Sequence, residues 1–159
     1  MSVRKPESYK HVVATNRKAR FEYFIEDEME AGIVLTGTEV KSIRNNEANI
    51  NDAYAEVRAD ELYLVNAYIP EYDKAHQENH ETRRPRKLLL HKKQIKKLIG
   101  KLKTKGVTII PLSLYFNKKN LAKIEIGVAK GKKLYDKRES IKNDEWQRQK
   151  ARALKDNKF

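Results

Sequence analysis

Apolar and polar positions alternate over short distances, and the chain reads as a series of brief, mostly extended segments. From Phe21, the residues Phe21, Tyr23 and Ile25 alternate with Glu22, Phe24 and Glu26, which predicts a strand partly buried on both faces. Residues 31–35 (AGIVL) form a second apolar stretch, entered through an acidic turn at Glu26, Asp27, Glu28, Met29 and Glu30. A short helix is predicted over 38–44, with Thr38 as its cap, Glu39 in its first turn and Arg44 in its last, an order that suits the helix dipole. Asn45 and Asn46 supply its stop.

Residues 53–58 and 61–69 read as two strands joined at Ala59 and Asp60, and Pro70 ends the second. Residues 71–86 contain almost nothing apolar and predict a long surface loop. A short buried strand follows at 87–90. Ile95, Leu98, Ile99 and Leu102 fall on one helical face with lysines opposite, and Gly106 terminates that helix. The clearest strands, 107–116 and 121–129, flank a four-residue turn, Asn117-Lys118-Lys119-Asn120.

Six short strands, two helices and turn-rich links predict a mainly β fold with flanking helices, built as a small antiparallel barrel and not as a βαβ sheet. The expected organisation is a flexible arm at 1–12, a barrel at 13–130 and a basic tail at 131–159. Beyond Gly131 the large apolar side chains are Leu134, Tyr135, Ile141, Trp146, Leu154 and Phe159. They are too few to offset the entropy of ordering, so the tail is expected to be disordered alone. A partner would permit a helix there. Asp144 and Arg148 are spaced as an i,i+4 pair, and Trp146, Lys150, Ala153 and Leu154 share a face.

Charge sharpens this picture. The 159 residues carry 35 Lys+Arg and 22 Asp+Glu, a net charge of +13. The sign is segregated: residues 21–82 total −11, whereas residues 83–129 total +13. Such a field selects a polyanion, because neutralising phosphates releases condensed counterions. The plainer alternative is a ribosome-like solubilising surface with no dedicated site. The absence of Cys excludes a disulfide scaffold, a thiolate zinc site and a Cys nucleophile. No apolar run approaches the roughly 18 residues of a membrane span. The first residues also lack the apolar stretch of a secretory signal. The expectation is a soluble, cytoplasmic protein that does not engage membranes.

Catalytic chemistry is poorly represented. Residues 127–133 (GVAKGKK) are one residue short of a phosphate-binding P-loop and place Lys133 where a magnesium-holding Ser or Thr belongs. His76 and His80 lie four apart without a third ligand at metal-site spacing. Glu26, Asp27, Glu28 and Glu30 read as a solvated turn, an internal counter-charge or a contact to base or sugar edges, and not as paired catalytic acids. The chain is therefore expected to be no enzyme and to need no cofactor.

Binding chemistry is richer. Residues 16–20 (NRKAR) lead directly into Phe21, Tyr23 and Phe24, placing cations for phosphates beside rings that stack on unpaired bases or fill the core. Lys18, Arg20 and Lys87 are candidate phosphate contacts. Residues 83–87 (RRPRK) form a second basic cluster, and the lysines at 92–105 add a cationic helix face.

Four segments together resemble the SmpB family of bacterial SsrA-binding proteins: residues 16–44, 86–92 (RKLLLHK), 111–116 (PLSLYF) and 127–138 (GVAKGKKLYDKR). They span nearly the whole chain. The resemblance implies a six-stranded antiparallel barrel of OB-like topology with two to three helices. It implies a partner of transfer-messenger RNA (tmRNA) in trans-translation, the rescue of ribosomes stalled on messages lacking a stop codon. Such a protein binds the tRNA-like domain and helps alanyl-tmRNA enter the A site with elongation factor Tu and GTP. Asn16, Glu30, Leu89 and Lys123 match family positions implicated in tmRNA binding, and Tyr23 and His91 lie in the matching segments. Leu89 is equally readable as core, being the middle of three leucines.

The resemblance also gives the tail a role. Gly131, Lys132 and Lys133, with Asp136, Lys137 and Arg138, match segments that engage ribosomal RNA at the decoding centre. The remainder, through Trp146 and Leu154, would form a helix in the empty mRNA channel. Ala153-Leu154 stands where relatives can carry bulkier residues. The expectation is a monomeric adaptor with two RNA surfaces. The alternative is a structural ribosomal-type RNA-binding protein.

Overall fold

The computed structural model describes residues 10–75, 78–132 and 134–156. In chain order the elements are β1 (His11–Thr15), α1 (Ala19–Glu22), β2 (Tyr23–Ile33), α2 (Gly37–Arg44), β3 (Tyr54–Arg58), β4 (Glu61–Val65), β5 (Arg86–Leu89), α3 (Lys92–Leu102), β6 (Val107–Phe116), β7 (Ala122–Gly131) and α4 (Leu134–Asp156). All strand pairings are antiparallel.

The sheet order is β1-β6-β3-β4-β5-β2-β7, and β7 pairs back onto β6. Six strands thus form a closed circuit, as expected of a barrel, which leaves few open edges. The circuit closes between β3 and β6 through a narrow register, Ala55 opposite Ile109. Strand β1 is a seventh, lying on β6 beyond that contact, with Val12 opposite Tyr115. His11 and Val12, placed by the sequence in a flexible arm at 1–12, belong to β1; residues 1–9 lie outside the described set.

Strand β2 corrects the reading of an acidic turn. Glu26 to Glu30 lie within an 11-residue strand paired along its length with β7. Two acids there are balanced by cations outside the strand: Arg20 to Glu28 at 2.7 Å and Lys97 to Asp27 at 3.1 Å. The internal counter-charge alternative accounts for these two acids. Phe21 falls in α1, so the strand begins at Tyr23.

Helix α2 is capped by Thr36, two residues earlier than expected, in a reciprocal box with Glu39: the Thr36 N–H donates to the Glu39 carboxylate at 2.8 Å. Thr38 instead meets His80 at 2.9 Å. The His80 Nε2 faces the Ile69 carbonyl, which can only accept, so Nε2 donates to it at 2.9 Å. His80 is buried, and the loop at 71–86 is pinned against α2 and not simply solvated. The partner histidine of the metal reading, His76, lies outside the described residues.

The core joins both halves of the circuit, with Ile43, Leu62, Leu64, Leu88, Leu98, Ile109 and Ile124 among its members. A smaller cluster of Ala19, Ile110, Leu112 and Ala129 packs with Tyr23 and Ile25. Helix α3 buries Ile95 and Leu98 as its periodicity predicts.

Candidate nucleic-acid interface

Strand pairing brings distant residues into one lateral row. Leu89 of β5 lies opposite Gly32 of β2, Gly32 opposite Lys123 of β7, and Lys123 opposite Tyr115 of β6. Directly opposed residues in antiparallel strands share a face, so these side chains lie on one face of the sheet, where Tyr115 is itself sealed from solvent. Glu30 stands one outward step along β2, opposite Glu125. Three of the four residues singled out by resemblance, Glu30, Leu89 and Lys123, are thereby gathered.

Leu89 resolves as surface: it is 51% exposed, whereas Leu88 is 0% exposed. Lys87 lies on the same outward register of β5 as Leu89 and is partly buried. Gly32 has a local reason. A Cβ there would stand 3.1 Å from the Leu89 Cβ, so glycine lets the leucine lie across β2.

Glu30 accepts a hydrogen bond from the Tyr115 hydroxyl. Burial, then that bond, raises the Tyr115 phenol above its ordinary value. Along the same strands, burial and the neighbouring Glu28 push the Glu125 carboxyl up, while Arg20 lowers that of Glu28. Tyr115 is a participant the sequence reading missed. The signal was its alternation along 107–116, which sets it against the inward Leu114 and Phe116.

Asn16 is bonded to the β6 backbone. It is only 8% exposed. Its Nδ2 donates to the Pro111 carbonyl at 2.9 Å and its backbone N–H to the Leu112 carbonyl at 2.8 Å. Those carbonyls flank the irregular register between Pro111 and Ser113 in β6. Asn16 thus satisfies backbone groups that the ladder leaves unpaired. Lys18 and Tyr23 join it around a cavity of about 330 Å³.

The basic cluster at 83–87 is largely engaged internally. Arg86 is sealed from solvent and bonded to Glu39 and to the Ala67 and Thr82 carbonyls. Arg84 also pairs with Glu39, at 2.6 Å, and Arg83 donates to Asn66 at 2.9 Å. Arg20 is bonded to Glu28 but its side chain remains mostly exposed. His91 caps α3, its backbone N–H donating to Gln94 at 3.1 Å, and its residue is exposed. Phe21 and Phe24 are exposed.

The second candidate surface starts at the opposite end of β2. Gly131 closes β7 opposite Tyr23, so the barrel extends to that residue. Lys132 donates its backbone N–H to Glu22 at 2.9 Å and its ammonium to the Arg20 carbonyl at 3.0 Å, with the ammonium 5.0 Å from the Phe24 ring centre. From Tyr23 to Gly32 the strand advances roughly 30 Å, which separates the root of the tail from the Leu89–Lys123 row. Lys133 lies outside the described residues. Asp136 and Lys137 fall within α4, and Arg138, Trp146 and Leu154 are exposed on it. Among the described residues no helix is long and apolar enough to cross a membrane, and no group of three or more His, Asp or Glu could hold a metal ion.

A closed antiparallel sheet thus carries a mixed apolar and cationic outer row, and α4 follows β7 at the other end of β2. The SmpB protein family model matches residues 13–156. The chain belongs to the SmpB family. It is 59% identical over 147 residues to an SsrA-binding protein of Rickettsia canadensis, covering 92% of this chain and 97% of that protein. It is 56% identical over 153 residues to an SsrA-binding protein of Methylobacterium nodulans, covering 96% and 98% respectively. A solved structure described as "tmRNA-SmpB: a journey to the center of the bacterial ribosome" contains a chain matching 80% of this one and 93% of its own length. That match has 44% identity and a TM-score of 0.66.

Proposed function

We propose that the chain is a tmRNA-binding adaptor of trans-translation, with no catalytic role of its own. Its head binds the tRNA-like domain, and its tail reports whether the ribosomal mRNA channel is empty. The observation that carries this reading is the joint placement of Leu89, Lys123 and Glu30 on one outer face, remote from the tail root. Lys123 supplies a cation for phosphate, Leu89 an apolar surface for a base or sugar, and Glu30 an acceptor oriented by Tyr115.

Lys87 adds a phosphate contact beside this row and His91 borders it, while Lys18, Arg20 and Tyr23 extend the tmRNA contact toward the other end of β2. Asn16 acts by positioning β1 and α1 on β6. The tail engages ribosomal RNA through Gly131, Lys132, Lys133, Asp136, Lys137 and Arg138. Trp146 and Leu154 anchor its helix in the channel. Helical order in α4 then depends on RNA, because its described side chains are exposed and cover little apolar surface. The adaptor works as a cytoplasmic monomer, meeting elongation factor Tu and GTP through alanyl-tmRNA.

Recovery of the full chain from a bacterial lysate, followed by sequencing of the bound RNA, tests the reading. Enrichment of tmRNA is expected. Stable retention on one ribosomal subunit at high salt, without tmRNA, would favour a structural ribosomal protein.

A further inference from the structure

Helix α3 carries two sets of lysines with different surroundings. Lys97 and Lys101 reach Asp27 of β2, at 3.1 and 3.9 Å. Lys92, Lys96 and Lys103 are exposed and, among the described residues, form no ion pair. These three line a hollow of about 550 Å³ between α3 and the β3–β4 turn, larger than the cavity beside Asn16. Ile95 and Ile99 supply its apolar lining, and Asp60 and Glu61 of the turn line it as well. Neither acid forms an ion pair among the described residues. Unpaired charges of both signs therefore border one apolar cleft.

The cleft is built in advance. Leu98 is fully buried and anchors α3. The opposite side is a two-residue turn in which Ala59 and Asp60 have φ of 49° and 59°, closed by the pairing of Arg58 with Glu61. Gly100 also lines the hollow. It lies within α3, and an added Cβ would meet nothing within 4 Å. Glycine weakens a helix relative to alanine, and no neighbour within the chain requires it here. Its effect is to leave the helix backbone bare at the cleft, where a second backbone can approach closely.

We propose that this cleft docks an amphipathic α-helix of a protein partner. Its apolar stripe covers Ile95 and Ile99, its backbone passes over Gly100, and an acidic edge runs along Lys92, Lys96 and Lys103. At 1.5 Å per residue the lysines stand about 6 and 10 Å apart along α3. Acids one and two turns apart on a partner helix match those intervals. The charge pattern favours this occupant over RNA: phosphates would face Asp60 and Glu61, and a nucleic-acid backbone has no apolar stripe for the two isoleucines. The surface is separate from the RNA-binding reading above and adds a protein contact to it.

The probe is a fluorescein-labelled synthetic peptide of about 18 residues, long enough to hold a helix, with leucines on one face and glutamates along one edge. Fluorescence anisotropy with the full chain gives its affinity, and methyl NMR of labelled isoleucines gives its position. Shifts at Ile95 and Ile99 are expected. Gly100→Ala should raise the melting temperature by roughly 2–4 °C while weakening the peptide about fivefold, a combination that loss of folding cannot produce. Lys96→Glu should weaken the peptide about tenfold, and Lys118→Glu, the same charge change on the β6–β7 turn, less than about twofold. Affinity of Gly100→Ala for the tRNA-like domain should be unchanged, so this proposal and the RNA-binding reading fail separately. Equal binding of a scrambled peptide, equal losses in the two lysine variants, or unchanged peptide affinity in Gly100→Ala would overturn the docking site. Displacement of the peptide by a single-stranded RNA oligonucleotide that Lys96→Glu also weakens would assign the cleft to RNA and overturn it too.

Discussion

The Glu39 carboxylate and the Arg86 guanidinium, both sealed from solvent, form an ion pair that ties α2 to the first residue of β5. Arg84 and the Thr36 N–H complete the environment of the acid, and two backbone carbonyls that of Arg86. Leu89 follows three residues later, so this pair helps fix the strand that presents it. Removing one partner of such a pair leaves a buried charge uncompensated. Arg86→Met is expected to cost about 3–5 kcal/mol, measured by denaturant unfolding. A cost below about 1 kcal/mol would mean that α2 and β5 are held by packing alone.

The same pair sets an acid limit. Burial acts to raise the Glu39 carboxyl, but its bonds to Arg84, Thr36 and Arg86 outweigh this and hold it below its ordinary value of 4.5. A depressed folded value contributes stability that is complete above the unfolded value and lost as pH falls through the folded one. Stability should therefore fall below about pH 4.5 less steeply in Glu39→Gln than in the wild type. Parallel pH profiles would show that other carboxylates dominate acid unfolding.

Leu88 and Leu89 should separate stability from binding. Leu88→Ala should cost about 2–5 kcal/mol of folding free energy, as expected for a buried leucine. Leu89→Ala should leave the melting curve nearly unchanged and weaken binding to the tRNA-like domain. Equal melting losses would contradict the surface placement of Leu89.

Tyr115 offers a spectroscopic check. Its phenol is raised by burial and by the bond to Glu30. Of the eight tyrosines in the chain, Tyr115 should ionise late in an ultraviolet absorbance titration. Glu30→Gln should bring that titration down, because the carboxylate no longer disfavours the phenolate. A raised folded value also means that its contribution to stability is present below the ordinary phenol range and lost above it.

Gly127 should tolerate no side chain. An added Cβ would lie 2.9 Å from Ile25 Cγ2 and 3.2 Å from Leu112 Cδ1. Gly127→Ala is expected to destabilise the fold by roughly 1–3 kcal/mol, read from denaturant midpoints.

Periodicity was sufficient where one face was buried and the other wet. Helix α3, the β6–β7 ladder and its four-residue turn follow directly from the spacing of Ile95, Leu98 and Leu102 and from the apolar runs around residues 117–120. It failed at Glu26–Glu30. A strand whose outward positions are acidic resembles a turn until Arg20 and Lys97 arrive from elsewhere in the fold. Arg86 misled for the converse reason, since local charge patterning cannot reveal that Glu39, 47 residues away, neutralises it inside the core. Family resemblance located Glu30, Leu89 and Lys123, but their common face emerged only from strand register. For Asn16 the fold showed bonds to the Pro111 and Leu112 carbonyls that residue chemistry did not suggest.

Separation of the two surfaces is tested most directly by a chain ending at Lys132, which keeps all of β7 and the bonds from Lys132 to Glu22 and Arg20. Affinity for the tRNA-like domain and peptide tagging on stalled ribosomes would be measured on the same preparation. Affinity within about twofold of the full chain, together with loss of tagging, is the predicted result. A parallel collapse of affinity, or tagging that persists without α4, would contradict it.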